Sequence, residues 1–181
     1  MSNNSFGNFV LIPMVALATP AFAQQYLQAV DAQKLLFPEA DTFIDQKISL
    51  SKEQREKIKT LAGVRQRSAE QPVWRAERKG QFLGWFIIDN VIGKHEFITY
   101  ATAITPSGSV IGIEIMEYRE THGSAVRNAD WRNHFKGKKL QDTFKLDQDV
   151  PNISGATLSC RNVLDGVKRL LALQKVALMH E

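Results

Sequence analysis

The sequence predicts an α+β domain: an antiparallel sheet, a C-terminal helix that follows a polar ligand-type loop, and a helical extension at the N-terminus. Three observations predict it. Within residues 24–70 apolar positions recur at helical spacing, within 73–118 the period falls to two, and from Leu158 onward helical spacing returns.

Residues 9–23 read FVLIPMVALATPAFA, an apolar run ending in Ala21, Phe22 and Ala23. Small residues three before and one before a scissile bond suit signal peptidase. The run is short and interrupted by Pro13 and Pro20, a poor match to a hydrocarbon core of about 30 Å. Residues 1–23 are therefore expected to be a signal peptide, with Gln24 opening the mature chain in the periplasm. Residues 1–8 lack Lys and Arg, and an uncleaved membrane anchor is the alternative.

Residues 24–70 form the expected helical extension. Leu27, Val30, Lys34 and Leu35 recur at turn spacing before Pro38. Ser51 and Gln54 have the spacing of a capping box, Ile58, Leu61 and Ala62 make a stripe, and Gly63 can close the helix. Residues 71–181 are the expected second unit. Within it, 73–79 and 81–91 read as strands around Gly80. Residues 94–104 and 110–118 alternate on either side of Thr105-Pro106-Ser107-Gly108 and predict a hairpin, with one face covered and the other wetter. Residues 127–135 predict a short helix with Trp131 and Phe135 one turn apart. The long helix from Leu158 carries Val163, Leu164, Val167, Leu170 and Leu171, with Arg161, Lys168, Arg169 and Lys175 off that stripe.

Composition excludes several functions. The chain has 181 residues, a net charge of +4 and one cysteine. Cys160 cannot form an intrachain disulfide or a cysteine-based metal site, and reads as a packing residue. The four histidines show no i, i+4 pair, so no metal site is expected. Arg132, Lys136, Lys138 and Lys139 are interrupted by neutral residues and read as a solvated face, not a nucleic-acid surface. Glu114 and Glu117 fall on opposite strand faces and read as a solvated edge rather than a catalytic pair. Trp74, Trp85 and Trp131 read as packing. His95 opens a strand, either bonded to solvent or Glu96 or turned toward a ligand. No catalytic residue is assigned.

The chemistry concentrates in Ser154-Gly155-Ala156-Thr157, directly before the last helix. Glycine lets the backbone approach a ligand, Ser154 and Thr157 are N-cap candidates, and a helix start favours phosphate. The same residues would also serve a plain capped helix start. The stretch SGATLS, residues 154–159, resembles the flavinylation motif of the FMN-binding domain family, which includes flavoprotein subunits of sodium-pumping quinone reductase and of the Rnf complex. Glu120-Thr121-His122-Gly123 is similar to the family's Glu-Thr-Pro-Gly segment near the isoalloxazine, and Trp131 with Phe135-Lys136-Gly137-Lys138 to its short helix and turn. Pro151 stands where the family carries aspartate, with Asp149 two residues earlier, and His122 replaces proline.

The resemblance implies FMN joined through a phosphoester to Thr157 by a flavin transferase that uses FAD. Ser154, Gly155 and Ala156 would surround the phosphate, and Glu120, Thr121, His122 and Gly123 would lie near the ring. It further implies an electron relay between a membrane or quinol-linked donor and an extracytoplasmic acceptor. A stand-alone reductase of a diffusible substrate and a non-redox binding or regulatory module of the same fold are the alternatives.

Overall fold

A computed structural model describes residues 24–120 and 123–179. The expected signal peptide lies outside the described residues. The elements run β1 Gln24–Gln25, α1 Ala29–Leu36, β2 Thr42–Ser49, α2 Lys52–Ala62, β3 Glu70–Arg78, β4 Gln81–Ile92, β5 Phe97–Ile104, β6 Val110–Tyr118, α3 Ala129–Asn133 and α4 Thr157–Leu173. A 3₁₀ turn, Ser124–Arg127, precedes α3, and a π turn, Gln174–Leu178, follows α4. The strands pair antiparallel in the order β1-β6-β5-β4-β3-β2.

The expected helices of the extension form. At α2, Ser51 Oγ accepts from Gln54 N at 3.1 Å while Gln54 Oε1 accepts from Ser51 N at 2.9 Å, and Gly63 ends the helix at φ 73°. Between the two helices lies β2, a strand the periodicity does not predict; it extends the sheet beyond β3. Its central Asp45, Gln46 and Lys47 are polar, as suits an edge strand protected against pairing with another chain.

Lys79 leaves the strand expected for it. Lys79 and Gly80 form a two-residue turn with φ of 50° and 78°, which matches the twist of the flanking strands. The β5–β6 hairpin forms as expected, closed by Gly108 N to Thr105 O at 3.0 Å with Gly108 at φ 83°.

The expectation of one wetter sheet face is corrected. α2 and α4 cover one face over Ile87, Ile98, Tyr100 and Ile113, and α1 covers the other over Phe86, Ala101, Ala103 and Met116. Small residues admit α1: an added Cβ at Gly112 would lie 3.1 Å from Leu36 Cδ2.

Arg169, expected off the apolar stripe of α4, is nevertheless buried. It is 6% exposed and reaches Gln66 Oε1 and Asp89 Oδ2. Asp89 Oδ2 also accepts from Tyr100 Oη at 2.6 Å, and Gln71 Nε2 donates to Ile88 O at 2.7 Å. Burial and the Asp89 carboxylate raise the Tyr100 pKa well above its ordinary value. Gly166 makes the arrangement possible, since a Cβ there would collide with Tyr100 Oη. Beside this network lies a cavity of about 690 Å³ between α4, β4 and the 64–72 segment.

Candidate functional site

The site grows from the start of α4. Ala156 N donates to Ile153 O at 2.9 Å, closing a turn whose third residue, Gly155, has φ 78°. That left-handed conformation favours glycine. The first intrahelical bond is Cys160 N to Ala156 O at 2.9 Å. Ala156 is therefore the N-cap, in place of the expected Ser154 or Thr157, and it has no side-chain acceptor. Thr157 is the first helical residue, half-buried, and its own N–H, like those of Leu158 and Ser159, precedes the helical ladder. These donors lie at the positive end of a 17-residue helix.

The loop is fixed from below. Trp131 Nε1 donates to Pro151 O at 2.9 Å and Asn152 N to Asp147 Oδ1 at 3.1 Å. Asp149 is engaged too, by Lys138 Nζ at 3.0 Å and Lys145 N at 3.2 Å, and the Lys138 bond is the main cause of its lowered pKa. Cys160 is fully buried as the packing residue expected, and that burial pushes its thiol up.

The second wall comes from the end of β6. Glu120 Oε1 accepts from His95 N at 2.6 Å and Glu96 N at 3.0 Å, so the carboxylate grips the turn between β4 and β5. Burial works to raise its pKa, but the N–H groups of Glu96, His95 and Lys94 outweigh it and the pKa is lowered. Gly93 leaves space for this grip: a Cβ there would lie 2.5 Å from Glu120 Oε1. Gly123 has φ 87°, and an added Cβ would collide with Ala156 Cβ and sit 2.7 Å from Tyr118 Oη. The two segments singled out in the sequence thus pack against each other. Thr121 and His122 lie outside the described residues.

Between these walls is a cleft of about 490 Å³, lined by Lys94, His95 and Glu120 on one side and by residues 155–159 on the other. Gly155, Ala156, Thr157 and Glu120 are brought together, while Ser154 is exposed at the turn. Lys94, Leu158 and Ser159 are cleft residues that sequence reasoning did not assign. The signal for Lys94 was its place between Gly93 and the alternating run of β5, at a hairpin tip. His95 faces the cleft through the same turn. With helix N–H groups, a hydroxyl and two basic side chains, the cleft is suited to a phosphate group.

Other candidates resolve as structure. Glu114 pairs with Arg132, and Glu117 with Arg119 at 2.9 Å. Neither carboxylate is the solvated edge expected; their side chains are 19% and 23% exposed. Trp85 and Trp131 are buried, and Trp74 packs on Phe86 with ring centroids 5.6 Å apart. Among the described residues no group of His, Cys, Asp and Glu could hold a metal ion, and no helix is long and apolar enough to cross a membrane.

Comparison with known proteins bears on this cleft. A subunit of the ion-translocating oxidoreductase complex of Stutzerimonas stutzeri is 29% identical over 114 residues, covering 56% of this chain and 50% of that protein. The corresponding protein of Vibrio vulnificus (strain YJ016) is 31% identical over 110 residues, 54% of this chain and 52% of that protein. The chain spans about half the length of these curated relatives. The crystal structure of Shewanella oneidensis NqrC shares the fold, with a TM-score of 0.51 and 19% identity over 77% of this chain and 72% of that one. The model of the FMN-binding domain family matches from Gly93 to Ala172, a span that takes in the β4–β5 turn, Glu120, the 154–157 loop and nearly all of α4. That part of the chain, with the residues that line the cleft, matches the FMN-binding domain family.

Proposed function

We propose that the chain is an exported electron-transfer flavoprotein carrying FMN in phosphoester linkage to Thr157. The observation that carries this reading is the position of Thr157. Its hydroxyl-bearing side chain opens α4 without serving as the cap, on the wall of a cleft suited to phosphate. FMN, when bound, supplies the capacity to accept and donate electrons. The residues present fit it: the first-turn N–H groups would face a phosphate, Gly155 and Ala156 keep the loop close, and Lys94 supplies positive charge.

In the attachment step, Thr157 Oγ attacks the FMN phosphorus of FAD on a flavin transferase. An Oγ–P bond forms, the pyrophosphate P–O bond breaks, AMP leaves, and the hydroxyl proton passes to a base of the transferase. Relay between protein partners is favoured over turnover of a free substrate because Glu120, the carboxylate of the cleft, is occupied by two backbone N–H groups. That relatives are named as subunits of ion-translocating oxidoreductase complexes supports a protein partner as the source of electrons; in this reading the donor is membrane-bound or quinol-linked and the acceptor extracytoplasmic.

Co-expression with a flavin transferase is expected to give a protein that remains fluorescent on a denaturing gel and is recovered from the periplasm shortened by residues 1–23. Thr157→Ala abolishes the fluorescence. Signal retained in that variant refutes the attachment site. A colourless product from the parent chain favours a non-redox module, and steady turnover with a soluble donor and acceptor favours a stand-alone reductase.

A further inference from the structure

Glu120 lines the cleft, yet a carboxylate is a poor neighbour for a phosphate group of like charge. Its geometry gives it other work. Oε1 takes the N–H groups of His95 at 2.6 Å and Glu96 at 3.0 Å, and the turn it grips is itself closed by Gly93 N to Glu96 O at 2.7 Å. Gly93 has no Cβ to obstruct the carboxylate, which would otherwise meet it at 2.5 Å. The result is that the intervening residues, Lys94 and His95, form the wall opposite Thr157.

Several basic side chains of the domain are already engaged. Arg119 is paired with Glu117, Arg132 with Glu114 and Lys138 with Asp149, while Arg127 lies 3.5 Å over the Tyr26 ring. Among the described residues no ion pair engages Lys94. It therefore brings positive charge to the cleft that no carboxylate neutralises through a direct contact.

We propose that Glu120 is a positioning residue, which holds the 93–96 turn through the His95 and Glu96 N–H groups so that Lys94 forms the cationic wall for the phosphate group carried on Thr157. The inference rests on the flavin reading above and adds to it a specific division of labour. Lys94 contacts the phosphate; Glu120 contacts only the turn.

Two measurements on the full chain test it. In protein not yet flavinylated, Glu120→Ala speeds amide hydrogen exchange at His95 and Glu96, whereas Glu120→Gln, which keeps an acceptor oxygen, leaves it near the parent rate. With the transferase and FAD, Lys94→Glu slows labelling about tenfold, the worth of one charge-assisted hydrogen bond. Lys94→Arg stays close to the parent, Glu120→Ala slows labelling in the same direction, and Glu120→Gln restores most of it. Labelling unchanged in Lys94→Glu overturns the proposal. So does faster exchange in Glu120→Ala with labelling unaffected. Thr157→Ala in the same series separates the two ideas: label persisting there defeats the attachment reading, whatever Lys94 does.

Discussion

The cleft at the start of α4 and the cavity against its middle both carry polar groups on a largely apolar lining, at about 490 and 690 Å³. They differ in what their polar groups are doing. In the larger cavity Arg169, Asp89, Tyr100 and Gln66 bond to one another across α4, the sheet and the 64–72 segment. The smaller one is lined by Lys94, His95 and Glu120 on one side and by the first turn of α4, Thr157 included, on the other. Size alone would favour the larger cavity. Helix-start N–H groups outside the ladder suit the smaller cleft to an anion, and the closed buried network beside the larger one marks a structural joint.

The comparison is broken most forcefully at the joint. Asp89→Ala leaves the Arg169 guanidinium buried without its carboxylate and is expected to destabilise the fold by about 3–5 kcal/mol. Chemical denaturation checks this. Labelling of Thr157 in the fraction still folded should persist, because the joint lies away from the cleft. Loss of labelling in folded Asp89→Ala protein would unite the two regions that the geometry separates.

A smaller effect is expected at the cleft's own contact. Gly123→Ala forces a side chain into a left-handed backbone conformation and against Ala156, at an expected cost of about 1–3 kcal/mol. Here stability and labelling should fall together, since Gly123 is where the 120–123 and 154–157 segments meet.

The smallest effect is electrostatic. The Glu120 pKa is lowered from its ordinary value of 4.5. A depressed carboxylate contributes stability that is present above the ordinary value and disappears as pH falls through the lowered one. Glu120→Gln should therefore reduce stability slightly at neutral pH and converge with the parent in acid. Urea midpoints across that range read the difference, and parallel curves for the two proteins would remove Glu120 from the acid transition.

Local periodicity makes much of the fold legible. The β5–β6 hairpin alternates cleanly and carries its own turn chemistry, and α2 announces its start and end through Ser51, Gln54 and Gly63. β2 is not legible because Asp45, Gln46 and Lys47 at its centre obscure the strand pattern, and what makes it a strand is its pairing with β3. The burial of Arg169 is not legible for a related reason. A charged residue reads as solvated until its partner is known, and Asp89 stands 80 residues upstream. At the cleft, glycine and small residues identify the loop of Thr157, and Glu120 is found through the resemblance of its segment to the family's Glu-Thr-Pro-Gly. Its grip on the 93–96 turn depends on a long-range approach that no local pattern encodes.

Those long-range contacts bear on how the walls of the cleft are held. Asn162 Nδ2 holds Ile92 O at 2.6 Å, Arg169 reaches Asp89, and Gln174 Nε2 holds Pro106 O at 3.2 Å. α4 and its π turn are thus fastened along their length, like a beam bolted at intervals to the sheet. The opposite wall of the cleft is a turn held by one carboxylate. The two walls of the cleft are thus held in different ways, one by a helix fastened at intervals to the sheet and the other by a short turn gripped at its tip.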